Sequence, residues 1–541
     1  METTSPAGQD GPTAPRRPRG APRGSWALAG VLAGLTGLAT SYVAAMALTV
    51  RESPVVAVSE MLVRLTPGAV VEFAIDTFGG NNKTILLTGV LVALVALTAY
   101  AGVLARRSWW HPSLVFVPLA VVATVAVVTG PSPGPTDVLP VAVGLVTWLV
   151  ALSLLTDPLR AADEAAAPAA EPAPGAGAAP RDPARVAATR RTFLVRTGVL
   201  AAGAAVLGVA GRLVGEGRRA VEATRSLLRL PISQPVLPEG VATDLPGIAP
   251  WRTSNADFYR IHTAIVMPTI DPADWSLRIH GLVDREVVLT YQDLLDRELT
   301  EAWVTLCCVS NEIGGDLVGN AWWSGVRIAD VLAEAGVSPD ADCVLQTSED
   351  GWTCSTPLSA LTDDRDAMLA IGMNGQPLPI DHGFPVRMVV PGLYGYVSAT
   401  KWLVDLEVTR FEDVSAYWTE RGWGEMGPVK TMSRVDVPRS GAEVPAGSLR
   451  VGGVAWAQHT GIQAVEVAVD GGSWQEAQVL ATPTDDTWVQ WVATVEVEPG
   501  DHTVRVRATD KSGYVQTGVE RDVLPDGATG WHEVDFTATE A

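Results

Sequence analysis

Four apolar runs in the first third of the chain set the first limit on what it can fold into. They fall at 26–48, 85–105, 114–129 and 138–155, and an α-helix needs about 20 apolar residues to cross hydrocarbon, so the third is short for the task. A bundle of four transmembrane helices over 24–156 follows, preceded by a disordered basic tail at 1–23 too rich in Pro, Gly, Ala and Arg to bury a core. A weaker segment, 55–75, carries Glu60, Arg64 and Glu72 and suits an amphipathic helix lying on the membrane surface.

Positive charge fixes the expected threading. Arg16, Arg17, Arg19 and Arg23 precede the first run, Arg106 and Arg107 end the second, and Arg160, Arg181 and Arg185 follow the fourth. Alternate crossings then place all of them, and the amino terminus, in the cytoplasm. The Ala/Pro/Glu-rich stretch 157–188 reads as a flexible cytoplasmic linker. Next, Thr189-Arg190-Arg191-Thr192-Phe193-Leu194 and the apolar 198–214 look like a twin-arginine export signal that stays in place as a fifth transmembrane helix (189–214). The plainer reading is an ordinary helix with two cytoplasmic arginines. Either puts everything beyond 214 outside, although Arg212, Arg218, Arg219, Arg225 and Arg229 then oppose the charge rule. Residues 215–250 read as a second linker.

The same residues exclude several functions. Of seven histidines only His111 precedes residue 250, so the spans lack paired axial ligands for a b-type haem. They are nearly free of ionisable side chains, which argues against a transporter. The net charge is -21, with arginines crowded into the first 230 residues and most acids beyond them, a distribution that excludes nucleic acid as a partner.

From Trp251 onward short strands alternate with Pro/Gly turns, and 276–295 reads as two strands around Gly281 followed by a short helix, 291–295. Inside this region an apolar strand ends in Cys307-Cys308. Adjacent side chains of a strand face opposite ways, so one thiol can enter a pocket while its neighbour packs. Adjacency also opposes a two-thiol zinc site. Packing alone would explain two small buried hydrophobes; the surrounding residues point further.

Thr305-Leu306-Cys307-Cys308-Val309-Ser310-Asn311 resembles the T-L-x-C-x-x-N signature of the sulfite oxidase family of molybdenum enzymes, and 321–328 resembles the A-x-W-x-G-x-x-L stretch that follows it. A third block runs from Gly375-Gln376-Pro377-Leu378-Pro379 through Asp381-His382-Gly383-Phe384-Pro385-Val386-Arg387 to Lys401-Trp402-Leu403, in the family's order. Phe258-Tyr259-Arg260-Ile261-His262 resembles the entry motif F-x-x-R-x-H displaced by one residue.

The resemblance implies an oxidoreductase with an α+β molybdopterin domain at 251–426 and one molybdenum–molybdopterin per chain, and the apolar runs and arginine pattern make the expected protein membrane-anchored, multi-pass and extracytoplasmic in its catalytic part. Cys308 is then the metal thiolate and, with Arg260, the catalytic pair. Tyr259, Arg260, His262, Thr347, His382, Arg387, Thr400 and Lys401 contact the cofactor. Its terminal phosphate, a buried dianion, needs fixed cationic donors, and His382, Arg387 and Lys401 supply them; Lys401 is one of four lysines in the chain. The implied reaction is oxygen-atom transfer on a small sulfur or oxyanion substrate, with electrons passing to a separate cytochrome or quinone partner. The alternatives are a sulfoxide reductase of the methionine sulfoxide reductase type and, from another class, a non-catalytic surface-binding protein on a decayed scaffold.

Departures bear on substrate. After the cysteine the chain reads Asn311-Glu312-Ile313, without the arginines that bind sulfite, and Trp352 and Ile371 stand where a pocket tyrosine is expected; Tyr394 and Tyr396 are candidate substitutes.

Residues 427–541 alternate apolar and polar positions between regular turns, as in Val465-Glu466-Val467-Ala468-Val469 before Asp470-Gly471-Gly472. That pattern is a half-buried antiparallel sandwich, and it resembles the family's immunoglobulin-like domain, which implies a homodimer. His459 and His502 read as surface or packed residues. Cys343 and Cys354 flank a hairpin at Glu349-Asp350-Gly351, and a disulfide or two packed thiols both fit.

Overall fold

The computed structural model describes residues 21–48, 50, 53–78, 81–130, 134–166, 183–214 and 217–540. Most of the basic tail, with Arg16, Arg17 and Arg19, and the centre of the first linker, with Arg181, lie outside them. The chain divides into two units, 1–65 with 77–216 and 66–76 with 217–541.

The first unit is helical: α1 (Arg23–Ala47), α2 (Pro54–Leu65), α3 (Gly68–Phe78, whose residues up to 76 fall with the second unit), α4 (Asn82–Leu104), α5 (Ser113–Val128), α6 (Leu139–Ala166) and α7 (Pro183–Val214). Three helices, Arg23–Ala47, Asn82–Leu104 and Leu139–Glu164, are long and apolar enough to span a membrane. The expectation of four is met only in part, because α5 has 16 residues and at 1.5 Å per residue rises about 24 Å. The single amphipathic segment is instead two helices, parted near Pro67. Small residues let the long helices touch: a Cβ on Gly30 would collide with Thr98 O and the backbone of Gly102, and one on Gly102 with Trp26 O. Arg106 pairs with Asp163 at 2.8 Å, and Asp163 also accepts from Ala21 N at 2.7 Å. The start of α1 and the ends of α4 and α6 therefore share one end of the bundle.

In the second unit α8 (Gly217–Leu227) precedes an irregular strap. This corrects the reading of 215–250 as a linker. Val241 is buried, Leu228, Leu230 and Ile248 pack on the main core, and Gln234 Nε2 donates to Gly375 O at 2.8 Å. The stretch lacks periodicity because it lies across strands rather than forming one.

The catalytic region contains two sheets. One has the order β2-β1-β10-β5-β6, from β1 (Ser276–Gly281), β2 (Val287–Thr290), β5 (Cys343–Ser348), β6 (Thr353–Pro357) and β10 (Leu403–Thr409). The other runs β3-β4-β7-β8, with β9 also on β7, from β3 (Thr300–Cys307), β4 (Val318–Arg327), β7 (Met368–Met373), β8 (Gln376–Pro377) and β9 (Arg387–Val389). Short helices α9 (Tyr291–Leu295), α10 (Ile328–Ala335), α11 (Leu358–Thr362) and α12 (Gly395–Ser398) connect them. The expected strand-strand-helix at 276–295 is present, and Thr290 and Asp293 form a capping box at the start of α9. The hairpin at Gly351, φ 77°, also forms. Its register pairs Cys343 with Pro357 and Cys354 with Gln346. The two thiols are therefore offset along the strands, and both are free and buried; the disulfide alternative fails.

The last region has two sheets. The first, β11-β13-β17-β16, comprises β11 (Met432–Val437), β13 (Gly447–Trp456), β16 (Gln478–Val479) and β17 (Val489–Val497). The second, β12-β19-β18-β14-β15, comprises β12 (Ala442–Pro445), β14 (Ile462–Val469), β15 (Gln475–Glu476), β18 (Gly500–Asp510) and β19 (His532–Thr539). Val451 and Trp491 of one sheet and Val465, Val504 and Phe536 of the other share a core, so the alternating pattern does make a sandwich.

Candidate active site

Strand β3 ends at Cys307, and Cys308 opens the turn beyond it. Both thiols are buried but face different surroundings. Cys307 belongs to the main apolar core, and its thiol points to Cys308 O at 3.4 Å. Cys308 lies where Ser310 hydrogen-bonds it and the Lys401 ammonium acts on it; burial pushes its thiol pKa up, and those two groups pull it down. The turn is closed by Cys308 N donating to Leu317 O at 2.9 Å, Asn311 N to Cys308 O at 3.1 Å, and Leu317 N to Asn311 Oδ1 at 2.8 Å.

Tyr259 reaches the same place from the irregular stretch before β1. A Cβ on Gly395 would stand 3.8 Å from both its Oη and Cys307 O. Burial raises its phenol well above the ordinary value, with Cys308 and then Cys307 adding to the effect, so it stays protonated and can donate.

The third block folds into a cationic cradle. Gly383, at φ 108°, turns the chain so tightly that a Cβ there would lie 3.0 Å from Lys401 Cα and 3.1 Å from Arg387 Cβ. We expect Gly383→Ala to lower the unfolding free energy by about 1–3 kcal/mol and to displace both cations; denaturant titration beside cofactor retention checks this. Trp402 is itself left-handed, φ 49°, a conformation a bulky residue adopts only under constraint. Its indole N–H donates to Ile380 O at 3.0 Å, which fixes the peptide next to Lys401.

Arg387 is 3% exposed, and its three donor contacts all go to main-chain carbonyls: His382 O at 3.2 Å, Ala399 O and Met388 O at 3.4 Å. Burial depresses its pKa to about 10. Its Cζ also lies 5.0 Å from the centre of the Trp323 ring, and a desolvated guanidinium whose hydrogen bonds among the described residues go only to carbonyls is a receptor for an anion. Lys401 Nζ donates to Asp381 O at 3.0 Å.

His382 is 1% exposed, with Nε2 2.8 Å from Asn255 O. A carbonyl only accepts, so Nε2 carries the proton and Nδ1 is bare in the neutral ring. Nδ1 has no hydrogen-bond partner among the described residues. Burial depresses the ring's pKa to about 4, with Lys401 and Arg387 adding to it against the bond to Asn255. The unfolded chain protonates this histidine near 6.5. Stability is therefore complete above that pH and lost as pH falls toward 4, by about 3 kcal/mol in all. Thermal unfolding of the apo-chain from pH 7 to 4 should show this slope, reduced in His382→Gln.

The remaining predicted residues separate. Arg260 points outward and pairs with Asp381 at 3.2 Å. His262 lies edge-on to Trp402, ring centroids 5.9 Å apart. Thr400 is fully buried with its hydroxyl 3.2 Å from Cys354 Sγ. Thr347 faces away from its buried neighbours Gln346 and Ser348, and it is Ser348 whose hydroxyl is enclosed without a partner. The candidate substitutes for a pocket tyrosine are engaged elsewhere: Tyr396 donates to Gly424 O at 2.7 Å, and Tyr394 Oη accepts from Lys430 N at 3.4 Å. Sequence reasoning missed the structural parts of Asp381 and the Asn255 carbonyl. Asp381 stood in the third block; a main-chain acceptor leaves no mark in a sequence.

The donor set fits a phosphate-bearing cofactor. Arg387, Lys401 and His382 offer fixed cationic or proton-bearing groups, and Cys308 offers a single soft ligand. No cluster of three or more His, Cys, Asp or Glu side chains suited to a metal occurs among the described residues.

Residues 263–418 match the family profile described as oxidoreductase molybdopterin binding domain. Cys308, Thr347, His382, Arg387, Thr400 and Lys401 lie inside that span; Tyr259, Arg260 and His262 lie just before it. An uncharacterized oxidoreductase, YuiH, of Bacillus subtilis is 33% identical over 180 residues, 33% of this chain and 87% of the relative. Sulfite oxidase of Gallus gallus is 30% identical over 332 residues, 51% of this chain and 70% of the relative. For the mitochondrial sulfite oxidase of Homo sapiens the figures are 31% over 338 residues, 52% of this chain and 61% of the relative. Among solved structures, the sulfane dehydrogenase SoxCD of Paracoccus pantotrophus aligns at 25% identity and a TM-score of 0.44, over 51% of this chain and 79% of that one.

Proposed function

Since the chain belongs to the sulfite oxidase family of molybdopterin-dependent oxidoreductases, we propose that it transfers an oxygen atom to or from a small sulfur compound, working on the extracytoplasmic side of the membrane that its apolar helices anchor it to. Molybdenum–molybdopterin supplies the two-electron redox chemistry when bound. Cys308 binds the metal as thiolate, and Lys401 and Ser310 favour that charged state. Tyr259 holds its proton beside the thiol and orients substrate by donating it. Arg387 and Lys401 clamp the phosphate. The buried guanidinium of Arg387, hydrogen-bonded among the described residues to carbonyls alone and lying over Trp323, is the observation that carries this reading.

His382 takes a more active part. To donate to phosphate from Nδ1 it must gain a proton, because Nε2 is committed to Asn255 O. Cofactor binding near pH 7 should therefore take up about one proton per site, which calorimetric titration in buffers of different ionisation enthalpy would read. In His382→Gln the uptake should vanish.

A sulfoxide-reducing direction has one specific observation in its favour. The turn after Cys308 carries Ile313, which packs against Gly530, so no guanidinium extends from this turn to receive an oxyanion; Arg260 is already paired with Asp381. Metal analysis of the purified protein, then rates of sulfite oxidation against sulfoxide reduction, test the proposal. A protein without molybdenum would defeat it in favour of a decayed binding scaffold. Electron delivery from a separate cytochrome or quinone, and dimerisation through an immunoglobulin-like sandwich, belong to the same proposal.

A further inference from the structure

We propose that the carboxy-terminal sandwich is a working part of the metal site, and that Arg434, seated between Asp436 and the turn after Cys308, is a positioning residue for that cysteine. The inference rests on Cys308 as the metal ligand.

The sandwich grips the polypeptide on both sides of Cys308. Before it, Thr305 N donates to Asp486 O at 2.9 Å, and Thr305 Oγ1 accepts from Trp488 N at 2.8 Å. After it, three consecutive residues each meet the sandwich. Ile313 packs against Gly530; a side chain at Gly314 would collide with His532; and Gly315 O accepts from Arg434 Nη1 at 2.6 Å. Gly314 is left-handed, φ 75°, so a Cβ would be excluded twice over, by the backbone and by the imidazole.

Arg434 is held for this task. Its side chain is 10% exposed, as is that of Asp436, whose Oδ1 accepts from Arg434 Nε at 2.6 Å. The other oxygen of Asp436 accepts from Ala249 N at 2.9 Å, which ties the incoming strap to the same pair. His532 Nδ1 accepts from Val435 N at 3.0 Å, so the proton is on Nε2, the atom facing Gly314. The guanidinium presents Nε to the carboxylate and Nη1 to the carbonyl from one rigid plane, so both contacts are fixed at once; a lysine ammonium, a single point on a flexible stem, does not hold the two at the same separation. Because Leu317 and Asn311 bond back to Cys308 and to each other, a shift at Gly315 reaches the thiol through two short hydrogen-bonded links.

The test uses the full chain. In the apo-protein, iodoacetamide labelling resolved by peptide mass spectrometry should find Cys308 alkylated about tenfold faster in Arg434→Met, with hydrogen exchange of 311–317 faster by a similar factor, since the turn opens more often. Cys343 and Cys354 should label as before. In the loaded enzyme the Mo(V) resonance should shift and kcat fall while KM holds. Arg507→Met is the control: that guanidinium pairs with Glu466 and lies over Trp474 elsewhere in the sandwich, and its loss should change none of these. Should Arg434→Met not accumulate, Arg434→Lys carries the test, keeping the charge beside Asp436 but losing the two-way geometry. Identical labelling, exchange and resonance in the Arg434 variant and the wild type, or equal changes in both arginine variants, would overturn the proposal. The labelling and exchange arms need no molybdenum, so they read the clasp even if the metal assignment fails.

Discussion

Cys308→Ser should reduce oxygen-atom transfer by about three orders of magnitude, roughly 4 kcal/mol of transition-state stabilisation, while leaving the fold intact. A hydroxyl is a harder and weaker ligand than a thiolate and does not stabilise the same oxidation states. The groups proposed to hold the phosphate are other side chains, Arg387, Lys401 and His382, so part of the cofactor should remain bound with an altered metal spectrum. Cys307→Ser is the matched comparison. Its sulfur sits in the apolar core with its hydrogen-bond contact to Cys308 O at 3.4 Å, so a hydroxyl there costs about 1 kcal/mol of stability and little activity. If the two variants lose activity equally, or Cys308→Ser keeps wild-type rates and metal spectrum, the assignment of the thiolate is wrong.

Arg387→Met should act in opposite directions on the two states of the protein. In the apo-chain the guanidinium is a desolvated cation: burial lowers its pKa from the ordinary arginine range to about 10, so its charged form costs about 3 kcal/mol at every pH below 10. The unfolded chain binds the extra proton from about 10 up to the ordinary arginine range, so stability rises with pH across that window and the penalty is complete below it. Methionine removes the penalty, and the apo-variant should unfold at the same temperature or higher. In the loaded protein the sign reverses, because a buried phosphate loses its best donor; affinity for the cofactor should fall by about 10²- to 10³-fold, or 3–4 kcal/mol. Scanning calorimetry of both forms, with molybdenum content after gel filtration, separates the effects. An apo-variant clearly less stable than the wild type would mean Arg387 is paired inside the protein, and the anion site would lose its main support.

Local chemistry was readable wherever it depended on neighbours in sequence. Gly281 and the Thr290–Asp293 box set two strands and a helix within 20 residues, and the Asp350-Gly351 turn set the hairpin that follows. What could not be read was anything decided by register or distance. Cys343 and Cys354 looked bridgeable until strand pairing set them against Pro357 and Gln346. Residues 215–250 looked like a spacer because a strap lying across strands has no period. Thr347 and Ser348 are neighbours with the same chemistry, and only the pleat of β5 decides which hydroxyl is enclosed.

The sequence by itself determined the division into an apolar helical part and a strand-rich acidic part, and the order of the three blocks that hold Cys308, His382, Arg387 and Lys401. Those properties are local: hydrophobic length, turn chemistry and residue type survive in any string that keeps them. Tertiary structure alone decided that Arg387 is buried over Trp323 with its hydrogen bonds on carbonyls, that Nδ1 of His382 is bare, and that Arg434, 119 positions from Gly315, holds the turn after the thiol. Charge and protonation depend on which dipoles come within about 3 Å, and contacts across such separations exist only once the sheets have closed.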